Sequence, residues 1–269
     1  MKLGFKKALA GLALAGSMLG SSFANAADSA IDNILSTGEL KVCFEAGYIP
    51  FEMKTKDGRF IGFDIDISKH MARSMGVKFV PVNTAWDGII PALQTGKCDI
   101  INGGMAITPE RNLKVMFSDT YLEMGQTVLV TPEVAAQIDS FRDLNDPKFR
   151  LVSQIGTTGA MAAKKYFPNA QLDLFETSAD SVLQVKNGKA DAFVYDLPYN
   201  AMYAVQNKDS VVHLDEAFTY EPLGWAIRQN DVNFINFLNN YLVMIKKDGT
   251  YDRIYDKWFN SDAWVDSIQ

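Results

Sequence analysis

The chain has 269 residues, with 26 basic and 32 acidic side chains, and its net charge at pH 7 is −6. This length suits one large domain or two smaller lobes. The acidic balance and the lack of a basic run argue against nucleic acid or an anionic membrane as the main partner.

The first 26 residues have the form of a cleavable export signal. Lys2, Lys6 and Lys7 flank an apolar run over residues 8–19, and Ala24-Asn25-Ala26 has the small-x-small pattern of a cleavage site. The apolar run is too short for a stable membrane span. We therefore expect a mature periplasmic chain that starts near Ala27, with 23 basic against 32 acidic side chains.

Strand-like and helix-like runs alternate along the rest of the chain, which is typical of an α/β fold. The first half predicts strands at 40–44, 78–82 and 99–101 and helices at 63–75 and 88–94. The second half predicts strands at 126–130, 150–154, 172–175, 192–196, 211–214 and 223–227. Its predicted helices are at 140–144, 160–167, 178–187, 199–206 and 234–247.

These two sets of elements predict two lobes, each a central sheet flanked by helices. If the last strand returns to the first sheet, the chain crosses between lobes twice, near 123–126 and 220–224, and forms a hinge with a cleft. The expected lobes are residues 27–124 plus 223–269 and residues 125–222. Ligands bind beyond the carboxyl ends of strands in such sheets, so four strand ends should face the cleft: 45–48, 102–106, 156–159 and Asp196.

Two cysteines and two histidines bear on redox and metal chemistry. Cys43 and Cys98 both lie in apolar strand-like runs, where a cysteine behaves as a small hydrophobe. We expect two free buried thiols, with a disulfide as the alternative in an exported chain. His70 and His213 lack neighbouring ligands at metal-binding spacing, so we expect no zinc site and no cofactor.

The run Asn102 to Arg111, NGGMAITPER, has the features of an anion-binding corner. Two glycines after a short apolar strand let the backbone approach another molecule closely. Thr108-Pro109-Glu110 predicts a helix start, with an N-cap, a proline and an acid in the first turn. Arg111 in that turn suits a carboxylate. The alternative is a plain strand–turn–helix corner with Arg111 as a solvated charge.

Several motifs in order make the chain resemble the polar amino-acid branch of the periplasmic substrate-binding proteins of ABC importers (solute-binding protein family 3), over about residues 36–260. They are YIPFE at 48–52, GFDID at 62–66, WDGIIPAL at 86–93, ITPER at 107–111, GTT at 156–158, DGTY at 248–251 and KWF at 257–259. The resemblance implies a type II periplasmic-binding-protein fold, with two lobes and a two-crossing hinge.

The resemblance also implies how the head of an amino acid would be held. Arg111 would bind the carboxylate, helped by backbone N–H groups near Ala106 and at Thr158, in the Gly156-Thr157-Thr158 turn. Asp196 would take the ammonium, with the Gly104 carbonyl as a second acceptor. The alternative for Asp196 is a helix N-cap role before Leu197-Pro198.

The ligand side chain would lie between Tyr48 and Trp86, which match the aromatic clamp of relatives and could otherwise be core residues. Glu45 and Gln154 match positions that reach the far end of the ligand. A carboxylate at Glu45 favours a cationic or amide-bearing ligand, unless Glu45 is a solvated rim charge. Many relatives carry a serine or threonine at Ala106, so the hydrogen bond of that hydroxyl to the ligand is missing here.

The implied function is a monomeric receptor that binds a free amino acid and delivers it to an inner-membrane ABC permease. The alternative is an exported enzyme on the same fold, a dehydratase or lyase using Glu45 or Glu52, because such chemistry needs an acid with a raised pKa. The Arg111 and Asp196 pair favours the receptor.

Overall fold

The computed structural model describes residues 29–268, and the predicted export signal at 1–26 lies outside them. The described residues form fourteen strands: β1 (Glu39–Phe44), β2 (Met53–Lys54), β3 (Phe60–Ile61), β4 (Lys78–Asn83), β5 (Ile100–Ile101), β6 (Met116–Phe117), β7 (Leu122–Met124), β8 (Gln126–Val130), β9 (Arg150–Gln154), β10 (Gln171–Phe175), β11 (Ala192–Asp196), β12 (Val212–Leu214), β13 (Glu221–Leu223) and β14 (Ala226–Ile227).

Ten α-helices accompany the strands in the same residues: α1 (Ala30–Thr37), α2 (Phe63–Ser74), α3 (Ile89–Gln94), α4 (Pro109–Asn112), α5 (Pro132–Ala135), α6 (Thr158–Tyr166), α7 (Ser178–Lys186), α8 (Leu197–Gln206), α9 (Val232–Lys247) and α10 (Thr250–Phe259). Short 3-10 helices cover Trp86–Gly88, Phe141–Leu144 and Val265–Ser267. Between residues 29 and 268, no helix has both the length and the apolar character needed to cross a membrane.

The strands form two five-stranded sheets, one in each lobe. The first has the order β4-β1-β5-β14-β6 and the second has the order β10-β9-β11-β8-β12. In the first sheet β4, β1 and β5 run parallel, and β14, which returns from later in the chain, is antiparallel to β5. In the second sheet β10, β9 and β11 run parallel, and β8, the first strand of that sheet along the chain, is antiparallel to β11. The predicted two-lobed α/β architecture is confirmed.

The two passages between the lobes run side by side. Strand β7 pairs antiparallel with β13, with Met124 opposite Glu221 and Leu122 opposite Leu223. After β13 the chain returns to the first sheet as β14, which lies between β5 and β6. This two-stranded connection is the two-crossing hinge expected from the element order.

The run 223–227, predicted as one strand, is divided in the structure. Leu223 ends β13 and Ala226 begins β14, with Gly224 and Trp225 between them. A side chain on Gly224 would lie 2.9 Å from Ile107 Cδ1, so the backbone bends past Ile107 at a residue without a Cβ. The two short strands then pair with different partners.

The expectation of two free thiols is wrong, because Cys43 and Cys98 form a disulfide. Cys43 lies in β1 opposite Ile101 of β5, and Cys98 comes just before β5. Their Cα atoms are 5.7 Å apart, within the range that a disulfide spans. A buried cysteine can therefore also be a paired one, since the pairing of β1 with β5 brings Cys43 close to Cys98, two residues before β5.

We expect reduction of this disulfide to lower the free energy of unfolding by about 2–4 kcal/mol, because the bond constrains a long loop in the unfolded chain. Denaturant titrations with and without a thiol reductant would measure the change. A Cys43→Ala/Cys98→Ala variant is the control, and its midpoint should not respond to reductant. An unchanged midpoint in the wild-type chain would contradict the prediction.

Candidate functional site

A cavity lies between the two sheets, with residues of both lobes in its wall. Eight of the ten predicted site residues line this cavity: Glu45, Tyr48, Trp86, Gly104, Arg111, Thr157, Thr158 and Asp196. Ala106 and Gln154 lie behind that lining. Three further residues line the cavity without having been predicted to hold an amino acid: Glu52, Gly103 and Tyr195.

Arg111 is positioned by the helix start that the sequence predicts. The Thr108 side chain caps α4 and accepts a hydrogen bond from the Arg111 backbone N–H, with Pro109 at the first helical position. The guanidinium is buried, so the interpretation of Arg111 as a solvated charge is wrong. Its Nη1 donates to the Ala106 carbonyl at 2.8 Å, and its Nη2 donates to the Gly156 carbonyl of the other lobe at 3.1 Å.

Thr157 and Thr158 bring a helix N-terminus to the cavity from the second lobe. The Thr157 hydroxyl caps α6 by accepting from the Ala160 N–H, and it donates to the Gln154 carbonyl. Thr158 is the first residue of α6, and the first N–H groups of a helix have no acceptor within it. This end of α6 therefore offers N–H donors and a partial positive charge to an anion in the cavity.

Asp196 ends β11 and is buried, but its side chain makes no helix-capping hydrogen bond. Instead the carboxylate accepts from the Tyr48 hydroxyl of the first lobe and from Gln126 Nε2. Burial, reinforced by the charge of Glu221, raises the pKa of Asp196 to about 7, although Tyr48, Gln126 and Arg111 all favour the ionised form. Asp196 thus presents a carboxylate to the cavity across from Arg111.

Glu45 connects the two lobes at the other side of the cavity. Its Oε1 accepts from the Trp86 backbone N–H at 3.2 Å, and its Oε2 accepts from Gln154 Nε2 at 2.6 Å. Burial raises its pKa. Both oxygens are hydrogen-bonded, so Glu45 is not a freely solvated rim charge. Gln154 lies behind it, held by the Tyr195 hydroxyl at 3.0 Å.

The two aromatic residues flank the cavity as the resemblance implies. The Trp86 indole donates to the Gly156 carbonyl at 3.1 Å, and its ring centroid lies 5.5 Å from the Arg111 guanidinium carbon. Tyr48 stacks on Phe51, with ring centroids 4.5 Å apart. Tyr48 is therefore both a core residue and a cavity wall.

Ala106 contributes to the site through its backbone. Its methyl group is buried in the core, it pairs with Leu223 in an isolated bridge, and its carbonyl accepts from Arg111. The hydrogen bond from Arg111 uses the backbone carbonyl of Ala106, so it does not depend on a hydroxyl in the side chain.

Sequence reasoning missed the partner of Asp196 within the second lobe. Gln126, the first residue of β8, lies opposite Asp196 in an antiparallel pairing. Only the order and register of the strands bring these residues together. Glu52 belongs to the YIPFE motif, which carried the family resemblance, so a sequence signal for it existed.

The histidines make ordinary hydrogen bonds in the structure. His70 Nδ1 lies 2.9 Å from the Tyr241 hydroxyl, and His213 Nε2 lies 2.9 Å from the Thr127 hydroxyl. Over residues 29–268, no group of three or more His, Cys, Asp or Glu side chains is placed to hold a metal ion.

A cavity between two hinged lobes, lined by a buried arginine from one and a buried aspartate from the other, defines a ligand-binding protein of the two-lobed class. Residues 40–261 match the family model for bacterial extracellular solute-binding proteins, family 3. The chain belongs to this family.

Several relatives are named as amino-acid-binding proteins. A solved binding component of an ABC transporter from Wolinella succinogenes, complexed with lysine, is 48% identical, with a TM-score of 0.82 over 85% of this chain and 99% of that chain. An ancestral amino acid-binding protein, named as a precursor of cyclohexadienyl dehydratase, is 51% identical, with a TM-score of 0.81 over 86% and 100%. The ABC transporter arginine-binding protein 1 of Escherichia coli K12 is 30% identical over 80% of this chain and 88% of its own length.

We predict that Gly104→Ala weakens ligand binding by at least about tenfold, since a Cβ there would lie 2.3 Å from Tyr48 Cε1 and must displace that ring. Gly104 also has a φ of +63°, which an alanine adopts only with strain.

Gly96→Ala is the matched control, because Gly96 has a φ of +76° and open space around its Cβ position. Both variants should lose about 1 kcal/mol of stability from backbone strain. Only Gly104→Ala should change the affinity measured by calorimetry. Equal affinities for the two variants would contradict the assigned role of Tyr48.

Proposed function

We propose that this protein is a periplasmic receptor that captures an amino acid with a cationic side chain and delivers it to an ABC permease. The observation that carries the proposal is the charge of the cavity. Glu45, Glu52 and Asp196 line it together with a single guanidinium, that of Arg111. An amino-acid head uses one cation and one anion, which leaves two carboxyls to face the ligand side chain.

The roles of the head-binding groups follow from their chemistry. Arg111 offers a planar fork that matches a carboxylate, and the start of α6 adds N–H donors from the facing lobe. Asp196 takes the ammonium, with the Gly104 carbonyl as second acceptor. In the structure Arg111 donates to two uncharged acceptors, the carbonyls of Ala106 and Gly156. The ligand carboxylate would take over part of this hydrogen bonding as a charged acceptor.

The ligand side chain lies between Tyr48 and Trp86 and points towards Glu45. A cationic group there gains attraction to both aromatic faces and to the carboxylate. Relatives crystallised with lysine and with arginine support this choice. An amide-bearing ligand such as glutamine fits the same hydrogen-bonding groups with less charge complementarity.

The alternative, an enzyme on the same fold, has one observation in its favour. Glu52 is a buried carboxyl in the cavity with a raised pKa, as a general acid requires. The intact pair of head-binding groups, Arg111 and Asp196, favours binding without turnover. The two functions differ in whether the ligand is recovered unchanged after incubation, which mass spectrometry would establish.

A thermal-shift screen of the twenty amino acids with ornithine, citrulline and cystine tests the proposed ligand class. We expect lysine, arginine or ornithine to raise the melting temperature most, since a ligand at about 100 times its Kd stabilises the folded state by about 2.7 kcal/mol. Arg111→Ala should weaken binding by at least about 100-fold, because it removes two charge-assisted hydrogen bonds.

Arg142→Ala is the control for loss of an arginine, since Arg142 is exposed on the second lobe and pairs with Glu216. It should bind as the wild-type chain does. Circular dichroism checks that both variants are folded. A folded Arg111→Ala variant with unchanged affinity would refute the site, and no shift with any amino acid would favour the enzyme.

We further propose that the ligand closes two lobes, residues 27–124 with 223–269 and residues 125–222, about the β7–β13 connection. Contacts from Trp86 and Arg111 to the Gly156 carbonyl join the lobes beside the cavity. They must separate for a ligand to enter. A ligand that touches both lobes stabilises the closed form.

Small-angle scattering should therefore show a smaller radius of gyration when the ligand found in the screen is added. The Arg111→Ala variant at the same ligand concentration should show no compaction. Identical curves for the wild-type chain with and without ligand would contradict closure.

A further inference from the structure

Two buried carboxyls, Glu52 and Asp64, lie beside the head-binding groups. Glu52 is 1% exposed and Asp64 is 0% exposed. Within residues 29–268, Glu52 Oε2 and Asp64 Oδ1 have no hydrogen-bond partner. A buried carboxylate without partners is strongly unfavourable, because it has lost its water and gained nothing in return.

Each side chain lies beside one of the two glycines that follow β5, Asp64 beside Gly104 and Glu52 beside Gly103. Asp64 Oδ2 accepts from the Gly104 N–H at 2.8 Å and from the Tyr121 hydroxyl at 3.0 Å. Glu52 Oε1 lies 3.1 Å from the place that a Cβ on Gly103 would take. The two residues come from adjacent backbone segments, since the Asp64 N–H donates to the Phe51 carbonyl.

The pair differs in its access to the cavity. Glu52 is one of the lining residues, whereas Asp64 is not. All of these groups precede residue 125 and belong to the first lobe, so their arrangement does not require the lobes to be closed. Glu52 thus lines the ligand cavity, and its Oε2 is buried there without a hydrogen-bond partner in the part of the chain that the structure describes.

The titratable groups that face the pair are another carboxyl and several phenols: Glu45, Tyr48, Tyr121, Tyr195 and Tyr251. Arg111 lines the same cavity but donates to carbonyl groups. Burial and the neighbouring carboxyls raise the pKa of Glu52 well above its usual range, and burial raises that of Asp64 to about 7. Two such carboxyls titrate as a coupled unit, and the first charge opposes the second.

We propose that Glu52 and Asp64 hold one proton between them while the cavity is empty, and that a cationic ligand side chain displaces this proton to water when it enters. In this step the O–H bond of the Glu52 carboxylic acid breaks, its electron pair stays on the carboxylate, and the buffer takes the proton. Glu52 is then a specificity residue that contacts the ligand, and Asp64 is a positioning residue that keeps the proton on the pair.

This inference rests on the proposed binding of a cationic amino acid and adds a consequence for selectivity. A cation compensates the new charge on Glu52, whereas a neutral amide or ureido group does not. Lysine and arginine should therefore release a proton on binding, and citrulline, a neutral analogue of arginine, should not.

Isothermal titration calorimetry in phosphate and in Tris, at about pH 8, measures the proton released per ligand bound. At this pH Asp196, with a pKa of about 7, is already ionised and adds little. We expect about one proton released per lysine with the wild-type chain and almost none with Glu52→Gln. Glu216→Gln is the control, since Glu216 is exposed on the second lobe and pairs with Arg142 on the surface.

Lysine binding with the same enthalpy in both buffers, or equal proton release by Glu52→Gln, would overturn proton displacement and leave the receptor function standing. If no amino acid binds, the proposed function fails, and the pair is tested on the free protein. The carbon-13 signal of the Glu52 carboxyl should then titrate well above the ordinary pH of a glutamate, because burial and the neighbouring carboxyls raise its pKa. Titration at the ordinary pH of about 4 would overturn the shared proton.

Discussion

The burial of one permanent charge, that of Arg111, is the constraint on which the rest of the site depends. A guanidinium cannot lose its proton in a protein, so a buried one needs hydrogen-bond acceptors for its N–H groups. Those acceptors come from both lobes, the Ala106 carbonyl from the first and the Gly156 carbonyl from the second. The same Gly156 carbonyl also accepts from the Trp86 indole. The Gly156 carbonyl, in the turn after β9, therefore accepts hydrogen bonds from two side chains of the first lobe.

Gly103 and Gly104, which follow β5, leave room for neighbouring side chains. Tyr48 lies against Gly104 and Glu52 lies against Gly103, at distances that a Cβ would not allow or would crowd. The backbone N–H of Gly104 is also the donor that orients Asp64. The strand end therefore holds an aromatic wall and two carboxyls together in a small volume. This is why a pattern that first suggests only anion binding also organises the anionic side of the cavity.

The family contains amino acid receptors, and one relative is named as a precursor of a dehydratase. The structure offers a physical reason why one scaffold could serve both. A buried carboxyl with a raised pKa can donate a proton to a substrate, and the same group can exchange its proton for a bound cation. In this chain Arg111 and Asp196 line the same cavity as Glu52. Fold alone does not decide the question.

The alternation of strands and helices and the two-lobed fold could be predicted from the sequence. Hydrophobic periodicity, capping residues and glycine at strand ends act locally, so they can be recognised in a linear chain. The predicted strand ends and the motifs of the family resemblance together identified eight residues that line one cavity. The division of 223–227 into two strands was not predictable, because it depends on the contact of Gly224 with Ile107.

The pairings between distant residues depend on how the chain packs. Cys43 and Cys98 form a bond because β1 and β5 are neighbours, and Gln126 meets Asp196 because β8 and β11 are in register. Packing also decided the charge states, as burial raises the pKa of Asp196 and of Asp64 to about 7. Desolvation and strand register are properties of the packed chain, and no local run of residues encodes them.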